Sequence, residues 1–127
     1  LTALARAYSR AVTADAGTPE RLVADAMRAH PEQVGGTDSP VTALMRGVPG
    51  LLLKDGAEGV YAAALPDGRA FALKVDDGAD RPRPLLATAV LRSLGVDAEV
   101  LDRYDVAPLL GGGVAVGEVR VPADLLT

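Results

Sequence analysis

Lys54 and Lys74 are the two lysines among the 13 basic residues of this 127-residue chain, so each is a candidate for a special role. A lysine that loses part of its hydration can accept or relay a proton for a neighbouring serine, which makes Ser–Lys chemistry the first reaction type to consider. Lys54 opens the run KDGAEGVY, residues 54–61, where a short apolar run turns into strand-like sequence. In an extended chain Lys54, Gly56 and Glu58 share one face, while Asp55 and Ala57 point the other way. Gly56 is then expected to leave space beside the lysine, where a ligand can approach the backbone closely. Asp55, on the opposite face, is expected to do little to pin the lysine charge. The pattern equally fits a strand-end lysine reaching solvent beside a glycine bulge, and Lys-x-Gly alone does not separate the two readings.

The remaining reactive residues have simpler readings. Lys74 alternates with Leu73 and Val75 and is expected to face solvent, near Asp76 and Asp77. His30, before Pro31, is either an acid or base or a helix C-terminal residue favoured by the dipole. Ser39 before Pro40 has the position of a helix cap. Asp76-Asp77-Gly78 lacks the ligand spacing and closing glutamate of a calcium loop and fits a tight turn. Gly111-Gly112-Gly113 is followed by neither Lys-Ser/Thr nor a helix start, so it is expected to lead into a strand rather than cradle a phosphate. The absence of cysteine excludes disulfides, a thiolate nucleophile and Cys-ligated metals, and a single histidine excludes a multi-His metal site.

The elements that must position these residues follow from periodicity. Residues 1–50 are expected to be helical. One helix runs over 2–14 with Leu4, Ala5, Tyr8, Ala11 and Val12 on one face. A second starts at Thr18-Pro19-Glu20 with a hydroxyl cap and carries Leu22, Val23, Ala26 and Met27 inward. Residues 33–37 read as a loop, and Asp38-Ser39-Pro40 opens a short helix. Over 51–75 an apolar run leads to strands at 59–65 and 69–75, joined at Pro66-Asp67-Gly68 into an antiparallel hairpin. An exposed loop at 76–84, a helix at 84–94, a short helical or irregular stretch to Tyr104 and a strand at 114–121 complete a single segment, 1–127. The implied class is α+β, an antiparallel sheet with packed helices in α/β/α layers. A net charge of −4 argues against nucleic-acid or anionic-membrane partners. With 49% hydrophobic but only 3% aromatic residues, the core has to be built from Ala, Leu and Val. Neither a membrane-length apolar run nor a signal peptide is evident, so a cytoplasmic location is expected.

Several runs together resemble the asparaginase II family, the rhizobial-type L-asparaginases related in fold to serine β-lactamases and glutaminases. They are residues 26–37 (AMRAHPEQVGGT), Leu44-Met45, 50–61, Leu65-Pro66-Asp67-Gly68-Arg69, 73–78, and 113–120 with Val116-Gly117-Glu118-Val119-Arg120. The resemblance spans nearly the whole chain from Thr18 onward. It implies a β-lactamase-like fold and a serine–lysine amidohydrolase that releases ammonia from asparagine, with one lysine drawn from a Lys-x-Gly at the start of a strand. That role maps onto Lys54, with Gly56, Ala57 and Glu58 as substrate-binding neighbours. Asp55 stands where the β-lactamase relatives carry a hydroxyl. Ser-x-x-Lys is absent, because Ser9, Ser39 and Ser93 are followed three residues later by Val12, Thr42 and Val96. The family's zinc-binding cysteines are absent too, so no cofactor or metal is expected in this chain. With Leu1 as its first residue, the chain is expected to be the C-terminal portion of such an enzyme, inactive alone and possible as a homodimer. The alternative is a non-catalytic interaction domain that uses an exposed sheet edge.

Overall fold

Pro19, Pro31 and Pro40 each begin a helix, at the position where a missing backbone N–H leaves no bond unmade. In the computed structural model, which describes residues 1–126, the helices are α1 (Thr2–Thr13), α2 (Pro19–Ala29), α3 (Pro31–Gly35), α4 (Pro40–Gly47) and α5 (Arg83–Ser93). The strands are β1 (Leu52–Gly56), β2 (Val60–Ala64), β3 (Ala70–Lys74), β4 (Val106–Gly111) and β5 (Val114–Arg120). A 3₁₀ turn covers Glu99–Tyr104. The class is α+β with antiparallel sheets, as the sequence patterns imply.

The 51–75 region is a three-stranded meander in the order β1-β2-β3, so the expected hairpin gains β1 as a third strand. Its register pairs Leu53 with Ala63, Lys54 with Ala62 and Asp55 with Tyr61. Ala62 and Ala63 are consecutive and point to opposite faces, yet they are 2% and 0% exposed, so the sheet is covered on both faces. Helix α1 packs on β2 and β3, α4 on β1, and α5 on β2. Small residues in β2 let helices approach closely, as the shortage of aromatics requires. Ser9 Oγ donates to Gly68 O at 2.7 Å and ties α1 to the β2–β3 turn. Among the described residues no helix is long and apolar enough to cross a membrane.

Four local expectations are corrected. Leu22 and Val23 of α2 face outward, and Ala26 is exposed with them; the helix buries Ala24 instead, whose small side chain suits a close helix crossing. Thr18 precedes α2 but does not cap it, because its hydroxyl turns back to donate to Asp15 O at 2.8 Å. Ser39 does cap α4, accepting from Thr42 N at 3.2 Å. The loop expected at 33–37 begins as α3, since Pro31 starts a helical turn as readily as it stops the preceding helix. The glycines at 111–113 do not lead in from an irregular segment. They close a second hairpin, in which β4 pairs with β5 around Gly112 and Gly113. That hairpin stands apart from the main sheet and exposes Val106, Leu109, Leu110, Val114 and Val116.

Helix α4 and the 3₁₀ turn meet at Gly47, where a Cβ would lie 2.4 Å from Val100 Cβ. Relief requires movement of backbone rather than of a side-chain tip. Gly47→Ala is therefore expected to lower unfolding stability by about 1–3 kcal/mol, the usual cost of overpacking, as measured by urea denaturation.

Candidate active site

Lys54 is the third residue of β1, not the first, and β1 is an edge strand of the main sheet. Its side chain is 40% exposed. At an edge the chain has room to bend back over its own strand, and Lys54 Nζ donates to Asp55 O at 2.9 Å and pairs with Asp55 Oδ1. This overturns the expectation that Asp55 leaves the lysine charge unpinned. The alternation argument places the two Cβ atoms on opposite faces correctly, but a four-carbon stem is long enough to return to the neighbouring residue.

The face shared by Lys54, Gly56 and Glu58 ends early. Strand β1 stops at Gly56, and Ala57, Glu58 and Gly59 form the turn to β2. Glu58 has φ 57° and Gly59 φ 75°, so Glu58 occupies a left-handed conformation that costs a residue with a Cβ on the order of 1 kcal/mol. The turn is held against the loop after β3: Val75 N donates to Gly59 O at 2.9 Å, and a Cβ on Gly78 would sit 3.3 Å from Glu58 Cα. Gly56 does not leave an open space either. A Cβ there would lie 3.2 Å from Val60 Cβ on the facing strand, so the bare backbone accommodates Val60. Ala57 and Glu58 remain exposed at the tip.

Behind the strand lies a residue that sequence reasoning placed in an exposed loop. Arg83 begins α5 and is 8% exposed. Its guanidinium lies 4.9 Å from the centre of the Tyr61 ring, and Nη1 donates to Gly56 O at 2.9 Å and to Val60 O at 3.4 Å. Nη2 pairs with Asp80 Oδ1 at 2.8 Å and lies 4.0 Å from Asp55 Oδ2. The Asp55 carboxylate thus stands between the lysine and the arginine. A signal for this was present in the pattern: Asp55 and Tyr61 share an inward face, and a carboxylate there needs a cation from another element.

The other candidates lie elsewhere. The three serines spend their hydroxyls away from Lys54: Ser9 on Gly68 O, Ser39 on Thr42 Oγ1 at 3.3 Å, and Ser93 on Val90 O at 2.8 Å. Among the described residues no hydroxyl bonds to Lys54. Lys74 is exposed and donates to Val75 O, as its solvent-facing position implies. His30 is exposed, with Nδ1 3.8 Å from Glu32 Oε1. A cleft of about 620 Å³ between α4 and the 3₁₀ turn includes Ser39, Thr42, Arg46 and Arg103 but none of the sequence-predicted site residues. Much of its polar lining is already spent, with Thr42 Oγ1 on Gly36 O at 2.6 Å and Arg46 on Glu32 at 3.0 Å. The described residues contain no group of three or more His, Asp or Glu arranged to hold a metal. With no cysteine in the chain, the cysteine-held zinc of the resembling family does not fit these residues.

What the fold and site define is an α+β protein with a carboxylate-held lysine on a sheet edge and no serine of its own beside it. The chain belongs to the L-asparaginase II family, whose model matches residues 1–121. The match includes α1, which lies before the point where the quoted sequence runs begin. No curated protein matches the chain. Membership implies an asparaginase-type amidohydrolase with asparagine as substrate.

Burial, partly offset by the Arg83 charge, pushes the Tyr61 phenol up from its ordinary value of 10.0 to about 12. Half-buried Tyr8 is raised too, by burial and then by the Asp55 charge. Below pH 10 the phenol of Tyr61 is neutral in both folded and unfolded chains, and its contribution to stability is complete. As pH rises from 10 to about 12 the unfolded chain ionises first, so that contribution is lost. Unfolding measured across this window should show a fall in stability that is reduced in Tyr61→Phe, and tyrosinate absorbance should show the matching late phase.

Proposed function

We propose that this chain supplies the lysine half of a Ser–Lys site that hydrolyses the side-chain amide of asparagine to aspartate and ammonia, within a β-lactamase-like fold. The observation that carries the reading is the place of Lys54: a half-exposed lysine on an edge strand, beside a turn that presents backbone and the Glu58 carboxylate. The strand is covered at Leu52 and Leu53 and reaches solvent from Lys54 onward, and the nucleophilic serine is assigned to a segment that would meet this exposed end.

In this reading the exposed ammonium of Lys54 first gives up a proton to solvent, and its free-base Nζ then takes the hydroxyl proton as the serine attacks the amide carbon. The proton passes to the amide nitrogen, the carbon–nitrogen bond breaks, and ammonia leaves an acyl-serine ester. Water then attacks the ester carbon, again giving its proton to Lys54, and the proton returns to the serine as aspartate is released. Asp55 sits against the ammonium form of Lys54 during each transfer. Ala57 offers backbone to the substrate, Gly56 being committed to Arg83 and Val60, and Glu58 meets the substrate's α-ammonium group. The chain would act in the cytoplasm on free asparagine, and by itself it would be inactive.

A second reading is favoured by the β4–β5 hairpin. Its exposed valines and leucines on a two-stranded ribbon with free edges suit a non-catalytic interaction module or a homodimer contact. One experiment separates the two. Expressed with its upstream coding sequence, the protein should release ammonia from asparagine, and Lys54→Ala should lower kcat by at least about a hundredfold, the scale of general acid–base catalysis. A full rate in Lys54→Ala, or an upstream segment without Ser-x-x-Lys, would leave the interaction reading standing instead.

A further inference from the structure

Arg83 is a buried charged side chain to which the Ser–Lys scheme assigns no task. A guanidinium carries five N–H donors in a rigid fork, and burying it is costly unless they are used. Here Nε is buried without a partner, while the two terminal nitrogens reach four oxygens. An apolar side chain would fill the space over Tyr61 without that orphaned donor, so packing alone accounts poorly for an arginine at this position.

The oxygens it reaches follow a pattern. Gly56 O and Val60 O are the residues at the two ends of the β1–β2 turn, paired with each other in the register. A single nitrogen bridging both clamps the turn that carries Ala57 and Glu58. That turn contains a left-handed glutamate, a conformation that needs outside restraint to persist. The second terminal nitrogen is shared between Asp80 and, at 4.0 Å, the carboxylate that pairs with Lys54. Asp55 therefore has a cation on either side, and its orientation is set from behind the strand as well as from the lysine.

We propose that Arg83 is a positioning residue of the Lys54 site, holding the substrate-facing turn through Gly56 and Val60 and the lysine through Asp55. This rests on the reading of Lys54 as the proton relay. The two routes have different kinetic signatures. Loss of the clamp disturbs both substrate binding and proton transfer, whereas loss of the Asp55 carboxylate disturbs proton transfer alone.

The test uses the protein expressed with its upstream sequence, assayed by ammonia release from asparagine. Arg83→Lys keeps the charge but not the fork. It is expected to lower kcat and raise KM, each by about fivefold or more, in line with the loss that small misplacements of catalytic groups cause. Asp55→Asn, a near-isosteric change at a half-exposed position, is expected to lower kcat by about tenfold with KM within about twofold. Hydrogen exchange at the amides of Ala57, Glu58 and Gly59 should quicken in Arg83→Lys and not in Asp55→Asn. Parental kcat and KM in both variants, with Lys54→Ala inactive, would overturn the positioning role alone. Full activity in Lys54→Ala would overturn the proton-relay reading and the positioning role together.

Discussion

A guanidinium that is 8% exposed has to spend its donors inside the protein, and the positions of several other elements follow from where Arg83 spends them. Two of its bonds go to the ends of the β1–β2 turn and one to Asp80, which precedes α5 by a few residues. The first turn of α5 is thereby held to the main sheet before its apolar residues, Leu85, Ala87 and Leu91, complete the contact. The Tyr61 ring beneath the cation gives the charge a favourable face and is itself kept neutral by burial. Fold and site share this group, because the Asp55 carboxylate near Arg83 is also the one that holds Lys54.

The rest of the core solves a different problem, the lack of large side chains. With alanines at 62, 63 and 64 in the central strand, helices lie close on both faces, and the packing tolerates little added volume where Gly47 meets Val100 or Gly50 meets Pro66. Such a core covers the start of β1 at Leu52 and Leu53 and leaves the strand to reach solvent from Lys54 onward. The β4–β5 hairpin takes no part in this packing and keeps its apolar side chains in solvent. The molecule thus has a rigid part that carries the lysine and an apolar ribbon that carries none of the candidate site.

Family membership and geometry constrain the chemistry from two directions. The L-asparaginase II match covers both the lysine-bearing meander and the terminal hairpin. The local geometry shows that none of the three serines of the chain bonds to that lysine, since each hydroxyl donates elsewhere. The described residues hold a charged pair on the edge strand and a restrained turn beside it.

Much of the fold was legible because it depends on local signals. Proline at helix starts, glycine after helix ends, and the Pro66-Asp67-Gly68 turn act over a few residues, and α1, α4, β2, β3 and α5 stand close to where those signals put them. Lys54 was legible as a candidate from its neighbours and from family-like runs. Several of the failures share one cause: they depend on which distant element arrives. Leu22 and Val23 form a sound apolar stripe that no partner covers, and β4 became a strand because β5 returned alongside it. Arg83 has the composition of an exposed loop, and only the arrival of Tyr61 and the 56–60 turn made it a buried cation. The sequence by itself determined most local starts and stops and the 66–68 turn, because these follow from backbone chemistry at short range. The tertiary structure alone decided which charges meet, because Asp55, Tyr61 and Arg83 come together only when α5 folds back onto the sheet.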